Sequence, residues 1–258
     1  MKDLKTRVIT AIIGILLLIF IVFKGKLYLS MSITILSIIG LWEFYSSLNN
    51  INIRPINYMG YLGAIGLFIS NAFQVVTVEL VFYMITAILL IILLLNKKVK
   101  ILDIATTLLG VIYIPFFFFH IYKLDGTRYI WLVFLIAFGT DTFAYLVGNL
   151  VGEHKLSPKI SPNKTIEGAL GGIIGSLIIT IVFGYFADID LIFKLMLLSI
   201  LASIVSQVGD LVASRIKRIV KIKDFGFIFP GHGGVLDRFD SIIFCAPIIY
   251  YYVVYFLI

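Results

Sequence analysis

The chain has 258 residues, is 61% hydrophobic, carries only 14% charged residues and has a formal net charge of +7, with a mean hydropathy of +1.09. A soluble domain carries about 25% charged residues, so the composition excludes an ordinary soluble protein and specifies an integral membrane protein. The single cysteine, Cys245, excludes an internal disulfide and a cysteine-based metal centre.

Apolar runs of roughly 16–22 residues recur between short polar turns, which predicts membrane helices and not a barrel. The expected fold is an all-α integral membrane protein with about nine transmembrane helices. They are placed at Val8–Phe23, Leu27–Leu48, Tyr58–Phe73, Val75–Leu95, Ile101–Ile121, Tyr129–Leu150, Gly168–Ala187, Leu191–Ala213 and Ser241–Ile258. The first is short, and the third is short and contains Gly60, Gly63 and Gly66. The first has the basic start of a signal peptide. Lys24-Gly25-Lys26 follows it where a small-residue cleavage site would stand, so it is read as retained.

Lysine and arginine accumulate on the cytoplasmic side of a membrane. With the N-terminus inside, the inner segments hold Lys2, Lys5, Arg7, Arg54, Lys97, Lys98, Lys100, Lys155, Lys159 and Lys164, together with Arg215, Lys217, Arg218, Lys221, Lys223 and Arg238. The outer side and the eighth helix are left with Lys24, Lys26, Lys123, Arg128 and Lys194. The expected topology is a cytoplasmic N-terminus and an outside C-terminus in the cell membrane. The positive charge fits anionic lipid, and no basic-aromatic surface points to nucleic acid.

Residues 1–100 read as transmembrane scaffold. Glu43, beside Trp42 and Tyr45 late in the second helix, carries a carboxylate that is costly there unless it reaches the interface or a partner, and the interface is its expected place. Pro115 is expected to kink the fifth helix, and His120 to lie at the outer interface. Asp141 stands deep in the sixth helix, where a carboxylate costs about 2.5–3.5 kcal/mol. It faces a wet cavity or holds a structural hydrogen bond to another helix. Its spacing puts it on one face with Tyr145, Gly148 and Asn149. The seventh helix opens with Gly168, Gly171, Gly172, Gly175 and Ser176. Small residues four apart let helix backbones approach closely. No Lys-Ser/Thr follows, so this is a packing face and not a phosphate loop. On the eighth helix Ser199, Ser203, Ser206, Asp210 and Ser214 share a face, with Gln207 beside it. That stripe lines a cavity or mates with polar groups on another helix.

Two loops carry the polar chemistry, at 151–167 and 214–240, within a region taken as 101–258. In the first, Ser157-Pro158 and Ser161-Pro162 stiffen the backbone, and Lys155, Lys159 and Lys164 are available for phosphates. The second joins six cations to Asp224, Asp237 and Asp240 and to the run Gly231-His232-Gly233-Gly234. A basic loop between membrane helices is usually a topology signal, which explains the cations but not the aspartates, glycines and histidine. His232 has no second histidine or cysteine nearby, so it is no zinc site. Asp210, Asp237 and Asp240 can converge at the cytoplasmic edge, and an oxygen-rich set suits Mg²⁺. Asp210 and Asp237 are the first-choice metal ligands, with Asp141, Asp224 and Asp240 secondary.

The second loop resembles the signature of the phosphatidate cytidylyltransferases (CDP-diacylglycerol synthases). Ser214, Lys217, Arg218, Lys223, Asp224, Gly226, Pro230, His232, Gly233, Gly234, Asp237, Arg238 and Asp240 carry the match. The first loop is similar to the same family's second hallmark in Lys155, Leu156, Ser157, Pro158, Ser161, Pro162, Lys164, Thr165, Glu167 and Gly168. Asn163 departs from it, standing where many members have a basic residue. With Asp141, Ala144 and Tyr145 upstream, the likeness covers Thr140–Asp240.

The resemblance implies transfer of the cytidylyl group of CTP to phosphatidic acid, with Mg²⁺ and an accompanying K⁺. It implies catalytic roles for Asp141, Asp210, Lys217, Arg218 and Asp237. Substrate binding falls to Lys155, Ser157, Ser161, Lys164, Thr165, Ser214, Lys223, Asp224, His232, Gly233, Gly234, Arg238 and Asp240. It also makes a homodimer plausible. A CTP-dependent polyprenol kinase and a lipid transporter or scramblase are the alternative functions.

Overall fold

The computed structural model describes residues 2–231 and 233–258. Its helices are α1 (Lys2–Lys24), α2 (Lys26–Leu48), α3 (Asn57–Phe73), α4 (Val78–Leu95), α5 (Ile101–Val111), α6 (Phe117–Lys123), α7 (Ile130–Val151), α8 (Ile166–Ala187), α9 (Ile192–Ile219) and α10 (Leu236–Tyr252). Among the described residues, seven segments are long and apolar enough to cross a membrane, and α1 adds a shorter apolar stretch, Val8–Lys24. The chain divides into two compact units. The first is Met1–Asp125 with Ile219–Arg238, and the second is Gly126–Arg218 with Phe239–Ile258.

Several boundaries differ from those expected, each for a local reason. The fourth helix starts at Val78 and not Val75, because the Thr77 hydroxyl caps it by accepting the Leu80 N–H at 3.3 Å. The fifth expected helix is α5 and α6 joined by a π-helical turn, Ile112–Phe116, that contains Pro115. A widened turn absorbs the missing N–H and the ring of proline. The loop expected over 214–240 is shorter than that. The α9 helix runs on through Ser214, Lys217 and Arg218, and α10 already contains Asp237, Arg238 and Asp240. Lys221, with φ of 59°, marks the turn beyond α9.

The expectation of an all-α chain needs one amendment. The 151–167 segment contains an antiparallel pair, β1 (Lys155–Ser157) and β2 (Ser161–Thr165), with Lys155 opposite Thr165 and Ser157 opposite Ser161. Pro162 is tolerated because a strand of so small a ribbon keeps an edge without a partner. Thr165 ends β2 and caps α8, its hydroxyl accepting the Gly168 N–H at 3.1 Å.

In the first unit the core forms around Tyr45, which is fully buried and donates its hydroxyl to the Thr107 carbonyl at 2.7 Å. The α3 glycines are contact points and not breaks. A side chain at Gly60 would collide with the Tyr45 ring, and one at Gly63 would meet Ile85 and Val111 at 3.0 Å. In the second unit the α8 glycines seat that helix against α7. A Cβ at Gly171 would lie 2.5 Å from Val147, and one at Gly172 2.8 Å from the Thr140 carbonyl. This is the close helix approach that small residues permit in lipid.

Candidate active site

A cavity of about 550 Å³ opens within the second unit. One wall is the α7 face: Asp141, Ala144, Tyr145, Gly148 and Asn149. The spacing of four, three and one read from the sequence therefore describes a real lining. The hairpin and the start of α8 supply Lys155, Leu156, Ser161, Asn163, Lys164, Thr165, Gly168 and Ala169, and α9 supplies Gln207 and Asp210. Its volume lies in the range of small-ligand sites, roughly 300–1,000 Å³.

Charge is organised around Asp210. Lys164 forms an ion pair with its Oδ2, and the Ser214 hydroxyl donates to Oδ1 at 3.3 Å. Asp240, buried in the second turn of α10, has Asp210, Asp141 and Lys217 as charged neighbours. Ser241 ties this corner together. Its N–H donates to Asp240 Oδ1 at 2.8 Å and its hydroxyl to Asp141 Oδ1 at 3.4 Å. Asp141 thus has both features considered from the sequence, a cavity wall and a hydrogen bond to another helix.

The α9 stripe divides in function along its length. Ser199, Ser203 and Ser206 are buried. Ser203 accepts from Thr140 of α7 at 2.9 Å, and Ser199 donates to Ser176 of α8 at 3.4 Å. Gln207 donates to the Ala169 carbonyl at 3.2 Å. The buried part of the stripe holds helices together, and its Gln207–Asp210 end reaches the cavity.

The hairpin is held in place by its neighbours. Glu167, in the first turn of α8, accepts the Glu153 N–H at 3.2 Å and pairs with His154 Nδ1 at 2.6 Å. Arg218 donates from Nε to the Ile160 carbonyl at 3.2 Å. The exposed end of α9 is therefore tied to the turn between the strands. The sequence does not announce His154, since a lone exposed histidine carries no pattern.

The remaining signature residues belong to the first unit. Asp237 Oδ2 accepts the Phe225 N–H at 2.7 Å and the Gly234 N–H at 3.0 Å. The Gly233 N–H donates to the Phe229 carbonyl at 3.2 Å. Gly233 and Gly234, implied by the resemblance to bind substrate, use these amides for the loop's own structure here. Lys223 and Arg238 are exposed and Asp224 is partly buried. His232 lies outside the described residues.

Glu43 departs furthest from expectation. It is fully buried, so its carboxylate is not solvated. Its carboxylate accepts the Val235 and Leu236 N–H groups, each at 2.9 Å. His120 is likewise buried within the protein, its ring edge-on to Phe116 at 4.9 Å.

A sequence model of the cytidylyltransferase family matches residues 5–256. The chain belongs to the cytidylyltransferase family. It is 39% identical over 256 residues to a phosphatidate cytidylyltransferase of Staphylococcus aureus (strain COL), covering 95% of this chain and 97% of that one. Phosphatidate cytidylyltransferases of Staphylococcus epidermidis (strain ATCC 12228 / FDA PCI 1200) and Staphylococcus haemolyticus (strain JCSC1435) match over the same shares at 40% and 41% identity. The match takes in the first hundred residues, where the sequence motifs offered nothing specific.

Among the described residues no group of three or more histidine, cysteine or acidic side chains is placed to hold a metal alone. A hard cation takes one or two carboxylates and completes its shell with substrate phosphates and water. Asp210, at the cavity wall with Lys164 beside it, fits such a site.

Proposed function

We propose that the protein transfers the cytidylyl group of CTP to phosphatidic acid, giving CDP-diacylglycerol and pyrophosphate. The observation that carries the reading is the cavity of the second unit, lined by Asp141 and Asp210 of two membrane-length helices and by Lys155 and Lys164 of the hairpin, in a cytidylyltransferase-family chain.

In the proposed reaction an oxygen of the lipid phosphate attacks the α-phosphorus of CTP. The bond from that phosphorus to the oxygen bridging the β-phosphorus breaks, and its electron pair leaves with pyrophosphate. A phosphomonoester with a second pKa near 6 is already largely ionised at neutral pH, so no strong base is needed. The work is alignment and charge neutralisation. Lys155 and Lys164 hold triphosphate oxygens in the cavity. Lys217, Arg218, Lys223 and Arg238 are the further cations assigned to the phosphates and the leaving pyrophosphate. Asn163, a neutral wall residue, takes no phosphate charge and leaves that task to Lys164 beside it. Mg²⁺, with K⁺ as a companion, is the proposed cofactor and when bound would neutralise charge on the triphosphate. Asp210 and Asp237 are its assigned ligands.

The site is proposed to face the cytoplasm, with the N-terminus inside and the C-terminus outside the cell membrane, because the basic residues gather on the inner segments. A homodimer is the assembly taken from the resemblance. The test is conversion of radiolabelled CTP into lipid-soluble nucleotide by purified protein with phosphatidic acid and Mg²⁺. Asp210→Asn and Asp237→Asn are each expected to abolish most of the product. Product undiminished in both would remove the ligand assignment. No product from folded wild type under any metal condition would remove the reaction.

A further inference from the structure

Helix α10 begins in an unusual way for a helix. Its first turn must satisfy backbone N–H groups that have no partner within the helix. A serine, threonine, aspartate or asparagine just before the helix normally does this. Here the preceding residue is Val235, which has no polar side chain, and Val235 and Leu236 are both fully buried. Their N–H groups are instead taken by Glu43, one carboxylate oxygen each, from a position more than 190 residues earlier in the chain. A carboxylate is also the charge that a helix N-terminus favours.

The neighbouring residues are shaped around this contact. Any side chain at Gly226 or Gly234 would collide with the Glu43 carboxylate. One turn back on α2, Gly40 leaves room for Leu236, whose Cδ2 would lie 3.2 Å from an added Cβ. Two of the signature glycines therefore make room for an acid outside the signature. The next residue, Asp237, uses Oδ2 to gather the Phe225 and Gly234 amides. Glu43 and Asp237 together hold both sides of the loop-to-helix junction.

We propose that Glu43 is a positioning residue for the transfer reaction: by capping α10 it sets the orientation of Asp237. The proposal rests on the assignment of Asp237 as a Mg²⁺ ligand made above. Glu43 itself touches neither substrate nor metal. Glu43→Gln is nearly isosteric but exchanges one acceptor for an NH₂ group facing a backbone donor.

The decisive measurement is Mn²⁺ binding to the full-length protein in detergent, read by electron paramagnetic resonance without turnover. Glu43→Gln is expected to weaken Mn²⁺ by roughly 10- to 100-fold, the usual effect of losing a group that orients a ligand. Half-saturating Mg²⁺ in the CTP assay should rise by a similar factor, with KM for phosphatidate within about threefold of wild type. Tyr45→Phe, which removes another buried hydrogen bond of the same unit, should leave Mn²⁺ affinity unchanged. Glu43→Asp should lie between glutamate and glutamine.

Wild-type Mn²⁺ affinity in Glu43→Gln would overturn the proposal. So would equal weakening in Tyr45→Phe, or no Mn²⁺ binding by wild type. Should neither Glu43 variant fold, hydrogen exchange of the wild type decides. Amides of Val235 and Leu236 are expected to be strongly protected, and exchange at the rate of exposed amides would overturn it. A wild type that binds Mn²⁺ but yields no labelled lipid removes the proposed reaction and leaves the Mn²⁺ comparison to judge Glu43.

Discussion

Lys164→Met separates the catalytic weight of the cavity from its structural weight. Methionine keeps much of the apolar stem and removes the charge that faces Asp210. The two side chains of the pair are 27% and 26% exposed. A pair that wet contributes about 1 kcal/mol or less to stability, and Asp210 keeps its Ser214 hydrogen bond. Thermal unfolding should therefore move little. The effect on turnover should be far larger. A hydrogen bond from a charged donor is worth about 1.5–3 kcal/mol, which at 1.36 kcal/mol per tenfold is roughly a 10- to 150-fold loss in kcat/KM. The assay is label transfer from CTP into lipid, varying CTP at saturating phosphatidate and then the reverse. The loss is expected on the CTP axis. A loss confined to the phosphatidate axis, or a change below about threefold on both, would refute the placement of the triphosphate against Lys164. Combined with Asp210→Asn, the two losses should fall short of additive, since the residues share one contact.

Three further outcomes follow from the packing. Gly171→Leu forces a side chain into Val147, 2.5 Å from the new Cβ, and should cost about 1–3 kcal/mol by overpacking; an unchanged unfolding midpoint in detergent would contradict the α7–α8 contact. Thr165→Ala removes the cap of α8 and should cost about 1 kcal/mol, with Thr165→Ser restoring most of it; equal midpoints for the two variants would count against the cap. Asp103 accepts the Arg54 and Lys100 N–H groups at 2.8 and 2.9 Å. Asp103→Ala should lower stability by about 1–3 kcal/mol and leave KM for CTP unchanged, and a rise in that KM would place the residue nearer the chemistry than the fold does.

What could be read from the sequence was what repeats at a fixed spacing. Apolar runs marked the helices, and steps of three and four put Asp141, Tyr145, Gly148 and Asn149 on the face that lines the cavity. The same arithmetic found the α9 stripe, but spacing alone could not tell its helix-binding serines from its cavity end. That division is set by which helix stands opposite, Thr140 of α7 for Ser203 and Ser176 of α8 for Ser199. The hairpin at Lys155–Thr165 was hidden because strands of three and five residues, one containing proline, show no alternation long enough to detect. Glu43 was misplaced for a deeper reason. A lone acid in an apolar helix is either expelled to the interface or paired inside, and its partners are backbone N–H groups, which no residue type announces. The trace it left lies elsewhere, in the obligatory smallness of Gly226 and Gly234. Gly226 stands in the sequence only as a signature residue and Gly234 as one implied to bind substrate, whereas in the structure both make room for a carboxylate. A glycine in a signature loop records only that something must come close, and the approaching group has to be found in the fold.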